Sequence, residues 1–238
     1  MDGKNAFYVV DNSRKVLGIL RLRDPSKYSI YDRAIYKHLD PILEIPAGRM
    51  FAASVGNHGS VTVQTRSKLQ LRWQHLFWSA TDRNLIVDLL LTFGLDALAA
   101  ESLTSCLMAV SDMRFGALVL VAANEEERPA NAGDIGHSGI SSALKQLSRG
   151  KKINDLVKSN EALGILTSDG LTTINRSGTI LSAGDIIDLQ TNQFEQVSGG
   201  GRTQAAISAS KFGLAIKVSE DGPITIFKDG VLQIRFVR

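Results

Sequence analysis

Residues Gly116–Ala123 constrain the fold most, because their sequence GALVLVAA is an apolar run without a polar side chain. A strand with one solvated face alternates apolar and polar residues, whereas a strand buried on both faces is continuously apolar. A sheet of such strands needs a covering layer on each side. Helical periodicity in Leu98–Met113 and Arg202–Lys211 supplies candidates for these layers. The sequence therefore predicts an α/β fold, a mixed twisted β-sheet flanked by helices.

The first part of the chain follows a different pattern, and the pattern shifts near residues 80–100. We predict a smaller α+β domain over residues 1–82, followed by the α/β domain over residues 83–238. Alternation, turn residues and helical spacing predict the elements of the smaller domain. These are a hairpin of Ala6–Val10 with Val16–Leu22, a helix over Ser29–Ile45, a hairpin of Met50–Val55 with Val61–Gln64, and a strand over Leu69–Trp78.

The second domain continues with short apolar segments separated by turns rich in glycine, which predict further strands. These segments are Leu163–Thr167, Leu171–Ile174, Thr179–Ala183, Leu214–Val218, Ile224–Phe227 and Val231–Phe236. The polar residues Glu125–Gly136 predict a loop, and Ser138–Leu147 predicts a helix. Strands interleaved with helices again indicate a mixed sheet covered by helices.

Composition limits the classes of function. The net charge is +3 without a dense basic block, which permits an acidic ligand but does not require nucleic acid. The single cysteine, Cys106, lies in an apolar stretch and is expected to be a buried, inert thiol. Leu85–Ala100 is the most apolar long window, but it carries Asp88 and Asp96 and is shorter than a membrane span. We therefore expect a soluble, cytoplasmic protein that does not enter a membrane.

A glycine triplet precedes the helix that begins near Arg202. Glycines at a helix entrance allow a phosphate to approach the backbone, where free N–H groups favour anions. Arg202 opposes the preference of the helix dipole for acidic residues at this end, which suggests that an anion binds beside it. A glycine-rich connection followed by a solvated arginine explains the same residues, and this alternative stays open.

Two acidic segments border apolar strands. Asp169-Gly170 follows Leu163–Thr167, and an acid at a strand end can hold a divalent metal or orient a hydroxyl. Ser219, Glu220 and Asp221 follow another apolar strand and could reach a metal or a phosphate. Asp-Gly is also a favoured pair in tight turns, so turn chemistry alone accounts for either segment.

Together the segments resemble the diadenylate cyclase family in order and spacing. In that family one strand ends in Asp-Gly-Ala and a short strand ends in Ala-Gly. A helix then begins at Gly-Thr-Arg-His-Arg-Ala-Ala, and a last strand ends in Val-Ser-Glu. This chain has Ser168–Leu171, Ile180–Gly184, Gly200–Ala206 and Val218–Asp221 in the same order, with Phe115–Val119 similar to the family's first core strand. The resemblance runs from about Leu98 to the end of the sequence.

The resemblance implies that the second domain binds ATP and a divalent metal, Mg²⁺ or Mn²⁺, and makes cyclic di-AMP from two ATP molecules. It also implies that two copies meet face to face, which makes the chain at least a transient homo-oligomer. Asp169 would hold the metal and orient the attacking hydroxyl, and Arg202 would act on the phosphates. Asp221 would be a second metal ligand. The remaining nucleotide-binding positions are Gly170, Leu171, Gly200, Gly201, Thr203, Gln204, Ser219 and Glu220.

Two departures from the family pattern keep alternatives open. Leu171 replaces the alanine that follows Asp-Gly, which is expected to alter the nucleoside pocket, and Thr203-Gln204 replaces His-Arg. The lost arginine removes a fixed positive charge beside the transferring phosphate. The chain is therefore expected to be a cyclase or a catalytically weakened nucleotide sensor of the same fold, with the first domain in a sensory or regulatory role. A nucleic-acid surface around Arg72 and Trp73 is a weaker third reading.

Overall fold

The computed structural model describes residues 6–21, 24–44, 51–55, 60–65, 69–74, 76–123, 132–133, 143, 146–187 and 200–236. The chain divides into two compact units, Met1–Arg83 and Asn84–Arg238. We call these the N-terminal unit and the C-terminal unit. The N-terminal unit contains a two-stranded and a four-stranded sheet, and the C-terminal unit contains a seven-stranded sheet.

The N-terminal unit begins with the predicted hairpin, in which β1 (Ala6–Val10) pairs antiparallel with β2 (Val16–Arg21). The helix predicted over Ser29–Ile45 is wrong in its length. A capping box at Ser29 starts α1 (Ile30–Ala34), but the chain then turns at Tyr36, whose φ is 56°. A 3-10 turn and the short α2 (Asp40–Leu43) follow. The turn buries His38 and Leu39, so packing overrides the helical pattern.

Four antiparallel strands in sequence order form the larger sheet of this unit, namely β3 (Phe51–Val55), β4 (Val61–Thr65), β5 (Leu69–Gln74) and β6 (Phe77–Asp82). The pairing of β3 with β4 confirms the second predicted hairpin. The single strand predicted over Leu69–Trp78 is wrong, because the chain reverses at Leu76, whose φ is 69°. The reversal places Trp73 opposite Trp78 across β5 and β6.

This four-stranded sheet buries its polar face. Thr62, Gln64, Gln70 and Thr81 lie on one face and are all buried. A small cavity on that face is lined by Gln64, Thr62 and residues of the helical segment such as His38. The opposite face carries the valines, leucines and tryptophans of the sheet, and Phe51, Val55 and Trp78 on it are exposed.

Seven strands form the sheet of the C-terminal unit: β7 (Ala117–Ala122), β8 (Ala132–Gly133), β9 (Leu171–Ile174), β10 (Ile180–Ile187), β11 (Gly213–Val218), β12 (Ile224–Lys228) and β13 (Val231–Phe236). Their order is β13-β12-β11-β7-β9-β10-β8. Strands β7 and β9 are parallel, and the other recorded pairs are antiparallel. Every residue of β7 is buried, as its apolar run predicts.

Helices cover this sheet: α3 (Arg83–Thr92), α4 (Ala97–Asp112), α5 (Ile153–Lys158), α6 (Ala162–Leu166) and α7 (Gly201–Ala209). Ala206 and Ile207 of α7 pack on the face that carries Leu118 and Leu171. On the opposite face, Thr172 Oγ1 of β9 donates to the carbonyl of Ile165 in α6, at 3.4 Å. Helices therefore flank a mixed sheet on both sides, and the predicted fold class is confirmed.

The strand predicted over Leu163–Thr167 is wrong, since this segment belongs to α6. Its buried residues Ala162, Ile165 and Leu166 have helical spacing. Thr167 Oγ1 donates to the carbonyl of Leu163 at 2.8 Å, which satisfies an acceptor in the last helical turn. Consequently Asp169 follows a helix and precedes β9.

Other predicted elements fall partly or wholly outside the described residues. The loop over Glu125–Gly136 is described only at β8, and the helix over Ser138–Leu147 only at residues 143, 146 and 147. Within the described residues, no helix is both long enough and apolar enough to cross a membrane. Burial raises the pKa of the Cys106 thiol far above its ordinary value, as expected for an inert cysteine.

Candidate functional site

The strand register brings the predicted motifs to one edge of the C-terminal sheet. Val218, at the end of β11, pairs with Ala117, at the start of β7. Val119 of β7 pairs in parallel with Thr172 of β9. When this register is extended back to the beginning of the two strands, Gly170 lies level with Ala117. Because neighbouring strands are about 4.8 Å apart, Asp169, Gly116 and Ser219 follow one another along the same edge.

The Asp169-Gly170 turn is held by close backbone contact with β10. Gly170 has a φ of 105°, and a Cβ placed on it would lie 2.7 Å from the carbonyl oxygen of Asp185. On the facing strand, a Cβ on Gly184 would lie 3.3 Å from the carbonyl oxygen of Asp169. A contact this short between backbones needs glycine, because any side chain would separate them. Packing on β10 thus fixes the backbone of Asp169, and its exposed carboxylate extends from this fixed point.

Helix α7 begins at Gly201, and its N-cap, Gly200, is extended with a ψ of 165° and makes no side-chain capping bond. Among the residues that the structure describes, no atom lies within 4 Å of a Cβ placed on Gly200 or Gly201. The first N–H groups of a helix have no partner within the helix, and here no cap side chain from residue 200 occupies them. The approach of a phosphate to this helix start, expected from the glycines, is sterically open.

The guanidinium of Arg202 lies directly over Gly116. A Cβ on Gly116 would lie 2.5 Å from Arg202 Cζ and would collide with the guanidinium nitrogens. Gly116 therefore makes room for the arginine at the start of β7. The register above places this point between Asp169 on β9 and Ser219 on β11.

Arg202 also joins α7 to the turn between β11 and β12. Its Nη1 lies 3.2 Å from Glu220 Oε1, and the Glu220 side chain is 72% exposed. An ion pair this exposed contributes about 0–1 kcal/mol, because water and salt screen it. Little free energy is therefore needed to exchange this carboxylate for a bound anion.

The turn that carries Glu220 and Asp221 is a well-formed β-turn. The carbonyl of Ser219 accepts a hydrogen bond from the N–H of Gly222 at 2.8 Å. The hydroxyl of Ser111 in α4 donates to the carbonyl of Gly222, which anchors the turn to the helix layer. Both carboxylates point into solvent from an anchored turn, so the turn chemistry expected from Asp-Gly is present at this edge.

The three residues that depart from the family pattern have different environments. Thr203 Oγ1 accepts a hydrogen bond of 2.7 Å from Lys217 Nζ on β11. Gln204, one residue further along α7, is exposed. Leu171 is fully buried in the cluster beneath α7, so its side chain is covered and only its backbone reaches the edge.

The acids assigned to metal binding do not form a cluster. Among the residues that the structure describes, no group of three histidine, cysteine or acidic side chains comes together. Asp169 precedes β9 and Asp221 follows β11, on either side of Gly116. Mg²⁺ in nucleotide sites is held by one or two carboxylates, with substrate phosphates and water completing the shell. The residues present fit that arrangement, with Asp169 as the protein ligand beside Arg202.

Three residues of this region were missed by the sequence reasoning. Gly116 was read only as part of an apolar run. Lys217 and Asp185 each interrupt an apolar strand, and this interruption was the available signal. Asp185 is fully buried and accepts a 2.5 Å hydrogen bond from Ser182 Oγ. By strand alternation and pairing, Asp185, Leu171, Leu118 and Lys217 all face α7.

The possible nucleic-acid surface of the N-terminal unit is divided between two faces. Trp73 and Trp78 are cross-strand partners on the apolar face of the sheet. Arg72 pairs with Ser79 and lies on the opposite, polar face. A stacking surface needs basic and aromatic groups side by side. The sheet separates Arg72 from both tryptophans, whereas Phe77, opposite Gln74, shares the face of Arg72. Arg66 and Lys68, the basic residues that precede Arg72 in the sequence, lie outside the described residues.

Comparison with known proteins gives distant structural likeness alone. No family model matches the chain, and no curated protein matches it. A double mutant of DacA from Staphylococcus aureus is similar, with 19% identity and a TM-score of 0.39 over 59% of this chain and 87% of that one. A hypothetical membrane spanning protein from Bacillus cereus is similar with 20% identity and a TM-score of 0.46, over 66% of this chain and 71% of that one.

Proposed function

We propose that the C-terminal unit is a diadenylate cyclase-like nucleotidyltransferase that condenses two ATP molecules into cyclic di-AMP and releases pyrophosphate. One observation carries this proposal. The Arg202 guanidinium lies over Gly116 and pairs with Glu220, at the sheet edge that Asp169-Gly170 also borders. Three motifs distant in sequence and shared with that family thus adjoin one another.

The chemistry of the proposed reaction is mainly positioning and charge neutralisation. The 3′-hydroxyl oxygen of one ATP forms a bond to the α-phosphorus of the other. The bond from that phosphorus to the bridging oxygen breaks, and pyrophosphate leaves with the electron pair. The same displacement, with the roles of the two nucleotides exchanged, closes the ring and releases a second pyrophosphate. Asp169 is exposed at the edge and would orient the hydroxyl, whose proton passes to a base or to water. Arg202 would neutralise charge that develops on the phosphates.

A divalent ion, Mg²⁺ or Mn²⁺, would supply Lewis-acid stabilisation of the phosphates when bound. Asp169 is the residue best placed to hold it. The second ATP would come from a second copy of the chain, because the described edge presents one arginine and one such aspartate. A face-to-face homodimer, at least transient, is therefore part of the proposal.

A catalytically weakened nucleotide sensor of the same fold is the second candidate. Gln204 favours it, since an uncharged, exposed glutamine stands where the family has a second arginine. Loss of one transition-state charge donor costs about 10²–10³ in rate. Such a protein would bind ATP or cyclic di-AMP at the same edge and release it unchanged.

The decisive experiment incubates the full chain with ATP and either Mg²⁺ or Mn²⁺ and resolves the products by mass. We expect cyclic di-AMP and pyrophosphate, and a loss of about 10²-fold or more in Asp169→Asn. Asp155→Asn is the matched control, because Asp155 is an exposed acid of α5 paired only with Lys158 at the surface. This control should retain wild-type turnover.

Two other outcomes are informative. Saturable ATP binding that Arg202→Ala abolishes, without turnover in either metal, would replace the cyclase with the sensor. Absence of ATP and cyclic di-AMP binding in both metals would refute the site itself. If the face-to-face dimer is correct, activity per protomer should rise with protein concentration until the dimer is saturated.

A further inference from the structure

Lys217 is a cation on the sheet face beneath α7, among buried neighbours. On its own strand, Ala215 faces the same way and is fully buried. Its cross-strand neighbours are Leu118 on β7 and Thr225 on β12, both buried. Lysine is seldom placed in such surroundings, because its charged group loses hydration. A specific use of the ammonium group would account for its presence.

The ammonium of Lys217 is directed to the first turn of α7. Its Nζ donates to Thr203 Oγ1 at 2.7 Å, one residue after Arg202. The hydroxyl is neutral, so this hydrogen bond does not neutralise the ammonium. Within the described residues, no carboxylate lies within ion-pair distance of Lys217 Nζ, and Arg202 is paired only with the exposed Glu220.

Positive charge therefore accumulates at this point. Burial lowers the pKa of Lys217, Asp221 opposes the shift, and Arg235 and Arg202 lower the pKa further. Arg235 lies opposite Thr225, in the same cross-strand row as Lys217. The positive end of the α7 dipole adds to the repulsion. Cations held together in this way are stabilised when an anion binds among them.

We propose that Lys217 is the second phosphate-binding cation of the site and takes the place of the arginine absent at Gln204. This inference rests on the proposed nucleotide site and deepens it. An ammonium has three donors and acts as a point charge, so it can reach a phosphate oxygen from the sheet without the fixed fork of arginine. Thr203 Oγ1 holds Nζ beside Arg202, which makes Thr203 a positioning residue.

The test compares Lys217→Met with the wild-type full chain by calorimetric titration of ATP, adenosine and inorganic tripolyphosphate. Methionine keeps the apolar stem and removes the charge, so the fold is expected to survive. Affinity for ATP and tripolyphosphate should fall about ten- to a hundredfold, the range for a hydrogen bond to a charged group. Affinity for adenosine should not change.

A second variant tests the replacement itself. Lys217→Met combined with Gln204→Arg should recover most of the lost ATP affinity, because the cation returns from the helix. Lys158→Met is the matched control, since Lys158 is a surface lysine of α5 in the same unit, and it should bind ATP as the wild type does.

Three results would overturn the inference. If Lys217→Met binds ATP and tripolyphosphate as tightly as the wild type, the nucleotide site stands without Lys217. Equal losses for ATP and adenosine would reveal a structural role. If the wild-type chain binds neither ATP nor tripolyphosphate, both proposals are refuted. If it binds tripolyphosphate alone and Lys217→Met loses that binding, Lys217 is supported as a phosphate-binding cation and the nucleotide site is refuted.

Discussion

The two larger sheets of this chain bury opposite kinds of surface. In the C-terminal unit, β7 is buried along its whole length, and Leu120 at its centre is 0% exposed. In the N-terminal unit, Gln64 on the polar face is 4% exposed, whereas Val55 on the apolar face is 72% exposed. One sheet is thus stabilised by a covered apolar core, and the other leaves much of its apolar surface in water.

The difference shows where each unit draws its stability. Burial of apolar area stabilises by about 25 cal/mol per Å², so the C-terminal sheet gains from both of its faces. The four-stranded sheet depends more on cross-strand pairs such as Trp73 with Trp78, each of which contributes about 0.2–1 kcal/mol. The same substitution should therefore have very different effects in the two units.

The largest expected effect comes from placing the same charge on each sheet. Leu120→Asp buries an unpaired carboxylate and should destabilise the C-terminal unit by more than about 4 kcal/mol, enough to lose its fold. Val55→Asp enters an exposed position and should change the unfolding free energy by no more than about 0.5 kcal/mol. Hydrogen exchange resolved by peptide measures both. If the two variants lose protection from hydrogen exchange to a similar extent, the two sheets do not differ in how they bury apolar surface.

An intermediate effect is expected at a position of the C-terminal unit where two backbone segments, and not apolar side chains, are in contact. Gly170→Ala forces a Cβ to 2.7 Å from the Asp185 carbonyl oxygen at a φ of 105°, and we expect a loss of about 1–3 kcal/mol. Gly164→Ala in α6 is the control, because a Cβ there meets nothing within 4 Å. It should stabilise by about 0.5–1 kcal/mol. Thermal unfolding measures the stability of both variants. Melting temperatures that shift in the same direction would contradict the close contact of Gly170 with β10.

The smallest effect is expected from Trp78→Thr on the exposed face of the N-terminal sheet. Threonine retains the preference for a strand but loses the cross-strand contact with Trp73, so the unfolding free energy should fall by about 0.2–1 kcal/mol. Binding of a hydrophobic dye should also decrease, since an exposed tryptophan is removed. A loss above about 3 kcal/mol would mean that this face is covered in solution.

The sequence predicted the elements whose local pattern agrees with their packing. The apolar run of β7, the spacing of α4 and the short strands β11 to β13 were all recognised from periodicity. The helix over Ser29–Ile45 and the strand over Leu69–Trp78 failed at Tyr36 and Leu76. Both residues adopt a positive φ that their side chains disfavour, so packing sets these turns and local preference does not.

The candidate site was predictable in its parts but not in its assembly. Asp169-Gly170 and Gly200–Arg202 were recognised as polar or glycine-rich breaks near apolar segments. Their approach depends on the register of β9, β7 and β11, which no local pattern specifies. Lys217 was missed because a lysine in a strand ordinarily marks a solvated face, and only its bond to Thr203 reveals where it points.

The contact between Arg202 and Gly116 has an evolutionary consequence. A methyl group at position 116 would occupy the volume of the guanidinium, so a larger residue there would require the flexible end of the arginine side chain to move. We therefore expect the two positions to vary together. Related sequences that keep the arginine should keep glycine at the start of this strand, and lineages that lose the arginine should be the ones in which larger residues appear there.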